Sequence, residues 1–336
     1  MKAIVYSRPG DSDVLQLVDR PVPGPGPGEV RVRVQVSGVN PTDWKQRRGG
    51  PPAFATVVPN QDGAGTVDAV GSGVLDDRVG ERVWLWEAAW QRADGTAQEY
   101  VVLPARQAVP LPDGASFDLG ASLGIPALTA HRCLTLAPGG PDRLGPGVLA
   151  GRTLLVAGGA GAVGNAAIQL ARWAGATVVT TVSGPEKAAL ARAAGADTVV
   201  NYRTEDAAAV IRQAAPEGVD LVVEVAPADN AALDADVVRV GGIVAVYATG
   251  RSGDVTLPGR TLMGRNIGYH FVLVYTVPEE AKAHAVQDVA AAVAAGAVRV
   301  GPEAGLPLHR YPLAQTAAAH DAVEAGAVGK VLIDVA

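Results

Sequence analysis

A single cysteine, Cys133, is all the thiol this 336-residue chain contains. That count excludes an intramolecular disulfide framework and any multi-cysteine zinc site. The five histidines stand apart, at 131, 270, 284, 309 and 320. They form no cluster of soft ligands, so no metal is expected. No apolar run approaches membrane-spanning length. The opening MKAIVYSRPG has neither an apolar h-region nor a cleavage site. Positive excess is missing as well. The formal charge is −6 with charges of both signs mixed along the chain, which argues against a nucleic-acid partner. No repeat and no low-complexity linker is visible. These absences leave a cytoplasmic protein, long enough for two domains.

What is present centres on Gly151 to Ala176. An apolar run, Leu154 to Ala157, enters a small-residue turn, Gly158-Gly159-Ala160-Gly161-Ala162-Val163-Gly164. A helix-like segment, Asn165 to Trp173, follows. The turn reads GxxGxxG through Gly158, Gly161 and Gly164, and GxGxxG through Gly159, Gly161 and Gly164. Glycines let a backbone turn sharply and approach a pyrophosphate, and the next helix offers its free N–H groups and dipole. A lone glycine motif is weak, but here strand and helix flank it as dinucleotide binding requires. Strand, helix and strand signals continue at Thr177–Val182, Glu186–Ala194 and Thr198–Asn201.

The N-terminal third reads differently. Glu29 to Val39 alternates apolar and polar residues strictly, as a half-buried strand does. Asn40-Pro41-Thr42-Asp43-Trp44-Lys45 leaves it as a loop or short helical turn. Short β segments with Gly/Pro turns continue to about residue 103 and suggest a compact β domain. Trp84, Trp86 and Trp90 either wall a cleft or, more simply, pack in a core. Asp118 to Leu136 reads as helix, broken at Gly124–Pro126. From there strand and helix alternate to about residue 275, as in a doubly wound parallel sheet. Val237–Val240 ends a helix and Gly241-Gly242 turns into the strand Ile243–Tyr247. Ile267 to Tyr275 is a long β run whose exposed edge would invite a second copy. The closing strand, Lys330–Val335, returns to the β domain.

A carboxylate at the end of the second strand would favour NAD. Here Val182-Ser183-Gly184 has none, and Glu186 sits on the following helix. Ser183, Lys187, Tyr202 and Arg203 supply hydroxyls and cations that suit a 2′-phosphate. NADPH is therefore expected.

Several stretches together resemble the medium-chain dehydrogenase/reductase superfamily, and within it the zeta-crystallin-like quinone oxidoreductases. They are VLQLVDRPVPGPGPGEVRVRV, GVNPTDW, PNQDGAGTVDAVGSGV, PALTAHRCL, AGGAGAVGNAAIQLAR and GKVLIDV. The resemblance runs essentially end to end. It implies an α/β protein: a GroES-like β-rich catalytic domain, 1–122 and 291–336, and a Rossmann NADPH-binding domain, 123–290. It places NADPH in the cleft between them. Asn40 and Thr129 would contact the nicotinamide, and Ala160, Gly161, Ala162 and Val163 the pyrophosphate. Ser183, Lys187 and Tyr202 would surround the adenosine phosphate. Tyr247, Ala248, Thr249 and Gly250, with His270, Phe271 and Val272, would line the nicotinamide side. A homodimer through the sheet edge is implied as well.

Two departures bear on the chemistry. Zinc-dependent relatives carry a cysteine after the first loop and a His-Glu pair further on; here those regions read Asn40-Pro41-Thr42-Asp43 and Asn60-Gln61-Asp62. Quinone reductases often carry a tyrosine where Lys45 stands. Asn40, Lys45 and Thr129 are the candidate catalytic residues. The expected activity is hydride transfer from NADPH to a quinone, the alternative being C=C reduction of an enone or enal.

Overall fold

A computed structural model describes residues 1–250 and 253–336. In chain order, β1 (Lys2–Val5) and β2 (Gln16–Asp19) pair antiparallel. In β3 (Glu29–Val39), Val30, Val32, Val34 and Val36 are buried and Arg33 faces water, as a two-residue period dictates. Pro41 opens α1 (Pro41–Arg48), with its fixed φ at the first helical position. β4 (Asp62–Val70), β5 (Arg82–Leu85), β6 (Tyr100–Pro104) and β7 (Ala108–Pro110) follow. Trp84 and Trp86 are buried among them, so core packing accounts for both.

The helix α2 (Phe117–Thr135) runs on without the break expected at Gly124–Pro126. Pro126 has no N–H to give, and the neighbouring Ile125 N–H donates to Asp62 Oδ1 at 2.8 Å. Asp62 thus gives the Ile125 N–H, in the turn before the proline, an acceptor, so the buried helix keeps this donor satisfied as it continues through Pro126. Gly124 makes the approach possible: a Cβ there would lie 2.1 Å from Asp62 Oδ1.

Next come β8 (Thr153–Ala157), α3 (Ala162–Trp173), β9 (Thr177–Val182), α4 (Pro185–Ala193), β10 (Thr198–Asn201) and α5 (Ala207–Ala214). They are followed by β11 (Val219–Glu224), α6 (Pro227–Val237), β12 (Val238–Val246), α7 (Gly259–Arg265), β13 (Gly268–Phe271) and α8 (Glu279–Ala294). The chain closes with β14 (Leu308–Pro312), α9 (Thr316–Glu324) and β15 (Lys330–Asp334).

The chain divides into two compact units, 1–125 with 308–336, and 126–307. The boundaries expected at 122/123 and 290/291 shift accordingly. The second shifts most, because α8 and the turns after it belong with the parallel sheet. In the first unit the strands run β14-β15-β3-β4-β5-β7, with β6 also on β3. β15 pairs antiparallel with β3, so both chain ends build one sheet.

In the second unit six parallel strands run β10-β9-β8-β11-β12-β13. The order reverses beside β8, which in open α/β sheets places the ligand crevice beyond the strands' C-terminal ends there. Two strand expectations need correction. β12 starts at Val238 and takes Gly241-Gly242 into the strand, with a register shift opposite Val219/Leu221. β13 has four residues instead of nine. Its partner β12 ends at Val246, which accepts the Val272 N–H, and the Tyr247 N–H turns to Glu224.

The loop at 136–147 is anchored by the buried Asp288 on α8. That carboxylate accepts from His131 at 2.8 Å, Arg143 Nε at 2.8 Å and the Leu144 N–H at 2.7 Å. Burial pushes its pKa up, but the three donors prevail and hold it at about 2. The group therefore stabilises the fold fully above the unfolded value near 4 and loses that contribution as pH falls toward 2. Asp288→Ala is expected to lower unfolding free energy by about 3 kcal/mol at pH 7. Urea titrations of both proteins should show the gap narrowing below pH 4.

Candidate functional site

In the second unit the glycine turn has three distinct jobs. Gly158, directly after β8, has φ +71°, a conformation open to glycine. Gly159 and Gly164 are required by packing. A Cβ on Gly159 would lie 2.2 Å from the Thr180 hydroxyl, and one on Gly164 would lie 2.4 Å from the Gly158 carbonyl. Gly161 differs. It is exposed, and its Cβ would meet only the Gly158 carbonyl at 3.4 Å. The protein itself does not need a glycine at 161; the open face it leaves is a cradle a side chain would fill. Gly161 precedes α3, where the Asn165 N–H donates to the Gly161 carbonyl at 2.8 Å. The N–H groups of Ala162 and Val163 have no carbonyl a turn earlier within the helix. Unpaired N–H groups at a helix start can bind an anion.

The ends of β9 and β10 converge beside this turn. The Tyr202 N–H donates to the Val182 carbonyl at 3.1 Å, which brings Tyr202 next to Ser183. Gly184 caps α4, and Lys187 lies in its first turn. Tyr202 and Arg203 are exposed. No carboxylate terminates β9. Tyr247 leaves β12 with its N–H on the Glu224 carbonyl at 3.0 Å, so residues 247–250 sit at the C-terminal end of the sheet, as do Phe271 and Val272 at the end of β13. His270 departs from that group. Its Nε2 lies 3.3 Å from where a Gly268 Cβ would be, because the imidazole folds back toward the start of β13. Thr129 is buried on α2.

Sequence reasoning missed a buried acidic pair in this unit. Glu224 at the end of β11 accepts from Asn230 at 3.0 Å and from the Ala226 N–H. Asp234 on α6 accepts the Tyr269 hydroxyl at 3.2 Å. Burial, then the charge of Glu224, pushes Asp234 up to about 8. Glu224 hides in the sequence because it directly follows the apolar run Leu221–Val223 that marks the strand.

In the first unit Asn40 belongs to a buried polar cluster. Lys330 Nζ donates to Asn40 Oδ1 at 2.8 Å and lies 3.2 Å from Asp62 Oδ2. Asn40 Nδ2 donates to the same Asp62 oxygen at 2.6 Å. Asp43 accepts the Asn40 N–H at 2.7 Å. Asp62 is raised by burial, against the pull of Lys330; burial likewise pushes Asp43 up to about 8. Gln61, beside Asp62, accepts the Ala89 N–H at 3.1 Å. Asn60, at φ +80°, bonds the Ser37 hydroxyl at 2.9 Å and His320 at 3.0 Å. Burial, then nearby Arg47, keeps His320 neutral, at about 3. Lys45 lies outside this cluster. It is exposed on α1, its ammonium 5.8 Å from the Trp44 ring centroid. Among the described residues no group of three or more His, Cys, Asp or Glu could hold a metal ion. No helix there is long and apolar enough to cross a membrane.

A doubly wound sheet with a phosphate-type glycine turn, joined to a β unit built from both chain ends, defines a nucleotide-dependent oxidoreductase architecture. The comparisons agree. Residues 26–113 match the alcohol dehydrogenase GroES-like domain and residues 162–294 the zinc-binding dehydrogenase family. A quinone oxidoreductase of Sus scrofa is 31% identical over 342 residues, covering 99% of this chain and 97% of that one. The Escherichia coli quinone oxidoreductase complexed with NADPH superposes with TM-score 0.81 at 25% identity, over 99% and 100% of the two chains. An NAD-dependent alcohol dehydrogenase superposes at 0.85 with 28% identity, over the full length of both. The chain belongs to the zeta-crystallin-like quinone oxidoreductase family of the medium-chain dehydrogenase/reductase superfamily.

Lys330→Met leaves the Asp62 carboxylate buried without its cation. The expected cost is about 3–5 kcal/mol at pH 8. Because burial raises Asp62 in the folded state, protonation favours folding, and the variant regains stability as pH falls from 8 toward the unfolded value near 4. Denaturant unfolding at pH 8 and pH 5 measures this, and adding Asp62→Asn should restore part of the loss at pH 8.

Proposed function

We propose that this protein is an NADPH-dependent, metal-free reductase of quinones. The single observation that carries the reading is the open Gly161 cradle at the start of α3, beside a β9 that is followed by Ser183 rather than an acid. The cofactor's pyrophosphate would lie on the Ala160–Val163 backbone. Ser183, Lys187 and Tyr202 would hold the 2′-phosphate through hydroxyl and charge-assisted bonds. Tyr247 to Gly250, Phe271 and Val272 would flank the nicotinamide end. Bound there, NADPH supplies a hydride. The protein supplies alignment and the proton that balances charge on the reduced acceptor, taken from water or the Lys45 ammonium.

Zinc does not suit the donor set. Asn40 and Asp62 stand where zinc-dependent relatives carry ligands, and Lys330 already bridges them with a positive charge. One amide and one carboxylate, both engaged, lack the thiolate and imidazole donors that zinc prefers. This separates the chain from an alcohol dehydrogenase in spite of that structural likeness. The open edge of β13, with Phe271 and Leu273 exposed, supports a homodimer formed edge to edge. A cytoplasmic setting fits the one buried cysteine, whose thiol burial pushes up to about 12.

Two measurements test the reading. With chelator present, oxidation of NADPH should be fast with benzoquinone and naphthoquinone and slow with an enal. Turnover confined to the enal would replace the quinone by a C=C substrate. Gly161→Val should fold normally yet bind NADPH at least about 100-fold more weakly, since it loses the pyrophosphate contact alone. Lys187→Ala should cost about tenfold in NADPH affinity and leave NADH unchanged. Unaltered NADPH binding by Gly161→Val would remove the cofactor from this turn.

A further inference from the structure

The parallel sheet of the second unit has a second built site, at the end opposite the glycine turn. An open cavity of about 480 Å³ lies against the starts of β8, β11, β12 and β13. Leu154, Leu221 and Ile243 give it an apolar floor. Its polar wall includes Arg152, Asp220, Arg239, Asn266 and His270. Arg239 Nε donates to Asp220 Oδ1 at 2.8 Å, and the Arg152 guanidinium lies 4.0 Å from the same oxygen. The other Asp220 oxygen accepts the Thr153 N–H at 2.9 Å. Two cations therefore face one carboxylate, which leaves the wall positive. Arg239 Nη1 reaches the Val240 carbonyl at 2.9 Å. Arg239 Nη2 and the Arg152 fork make no hydrogen bond among the described residues. The remaining wall is the loop around Ala137–Pro141, held in place by Asp288 through Arg143 and the Leu144 N–H.

We infer that this cavity binds an amphipathic oxyanion, a carboxylate or phosphate on an apolar body of about ten to twenty heavy atoms. The Arg152 fork and the remaining Arg239 Nη2 donor suit such a head group in charge and hydrogen bonding. A neutral ligand would leave Arg239 Nη2 and the Arg152 guanidinium without an acceptor, and a bare inorganic anion would leave the apolar floor wet. The five residues of β8, at about 3.3 Å each, put this site roughly 15 Å from the glycine turn. It is independent of the cofactor reading.

The test uses the full-length protein with three probes: 2-naphthoate, 1-naphthyl phosphate and inorganic phosphate. Each is titrated by calorimetry with and without saturating NADPH. The expected result is one-to-one binding of an aryl anion, at least about tenfold tighter than inorganic phosphate, and not displaced by NADPH. The stronger of the two aryl probes identifies the head group. Arg152→Gln with Arg239→Gln should weaken binding about tenfold or more. Ala137→Phe, which fills the cavity and leaves the arginines in place, should abolish it with an unchanged unfolding temperature. The inference is overturned by no saturable binding of either aryl anion, by equal binding of inorganic phosphate, by displacement with NADPH, or by indifference to Ala137→Phe. NADPH affinity, read in parallel, reports separately on the glycine turn.

Discussion

The first unit depends on one buried ion pair. Lys330 and Asp62 are both almost fully withdrawn from water, 1% and 0% exposed. Removing two charges from water costs several kcal/mol per ion, which their attraction offsets only with good geometry and further hydrogen bonds. Those bonds come from Asn40 at the end of β3 and from Ile125 in α2. The cluster thus joins the end of β3, the start of β4, the middle of α2 and the start of β15. An apolar cluster of the same volume could match it in stability. What the polar cluster adds is direction: three donors, Lys330 Nζ, Asn40 Nδ2 and the Ile125 N–H, each need a specific acceptor and so tie the four elements to one another at defined positions. Gly38 and Gly124 allow the close approach. A Cβ at Gly38 would lie 2.1 Å from the Ala121 carbonyl.

The same cluster explains why Asn40 is held and Lys45 is not. Asn40 has its carbonyl on Lys330 and its amide on Asp62, so its orientation is set by groups distant in sequence. Five residues on, the exposed Lys45 has, among the described residues, only the Trp44 face beside it. A residue that orients a ligand needs the first environment. A residue that delivers a proton works well in the second, where its ammonium is replenished from water.

Much of this was legible in the sequence, for specific reasons. The alternation of Glu29–Val39 and the glycine spacing at 158–164 are local signals, and β3 and the β8–α3 turn obey them. The closing strand was legible from the apolar run Val331-Leu332-Ile333, and it pairs with β3 in the first sheet as expected. The partners of Asp62 were not. Lys330 lies 268 residues away in sequence, and no local pattern says which charge meets which. The unbroken α2 was missed for the same reason, since Pro126 signals a break unless Asp62 is known to sit beside it. His270 was misplaced because a strand's sequence gives alternation but not the direction in which a long side chain folds along its axis.

The two ends of the parallel sheet carry opposite design constraints. At the C-terminal ends, backbone N–H groups at the start of α3 supply positive potential without any charged side chain, so the site can be built from glycine and alanine. Among the described residues no helix starts at the N-terminal ends of these strands, and an anion there needs formal charge. Arg152 and Arg239 supply it, and Asp220 holds one of them by a direct hydrogen bond while leaving donors free. Without Asp220, the two guanidinium groups would repel and spread into solvent; with a second carboxylate, the wall would be neutral and attract nothing. The single acid between two arginines keeps the fork ordered and the wall positive, and that balance, more than the cavity's size, determines what can enter.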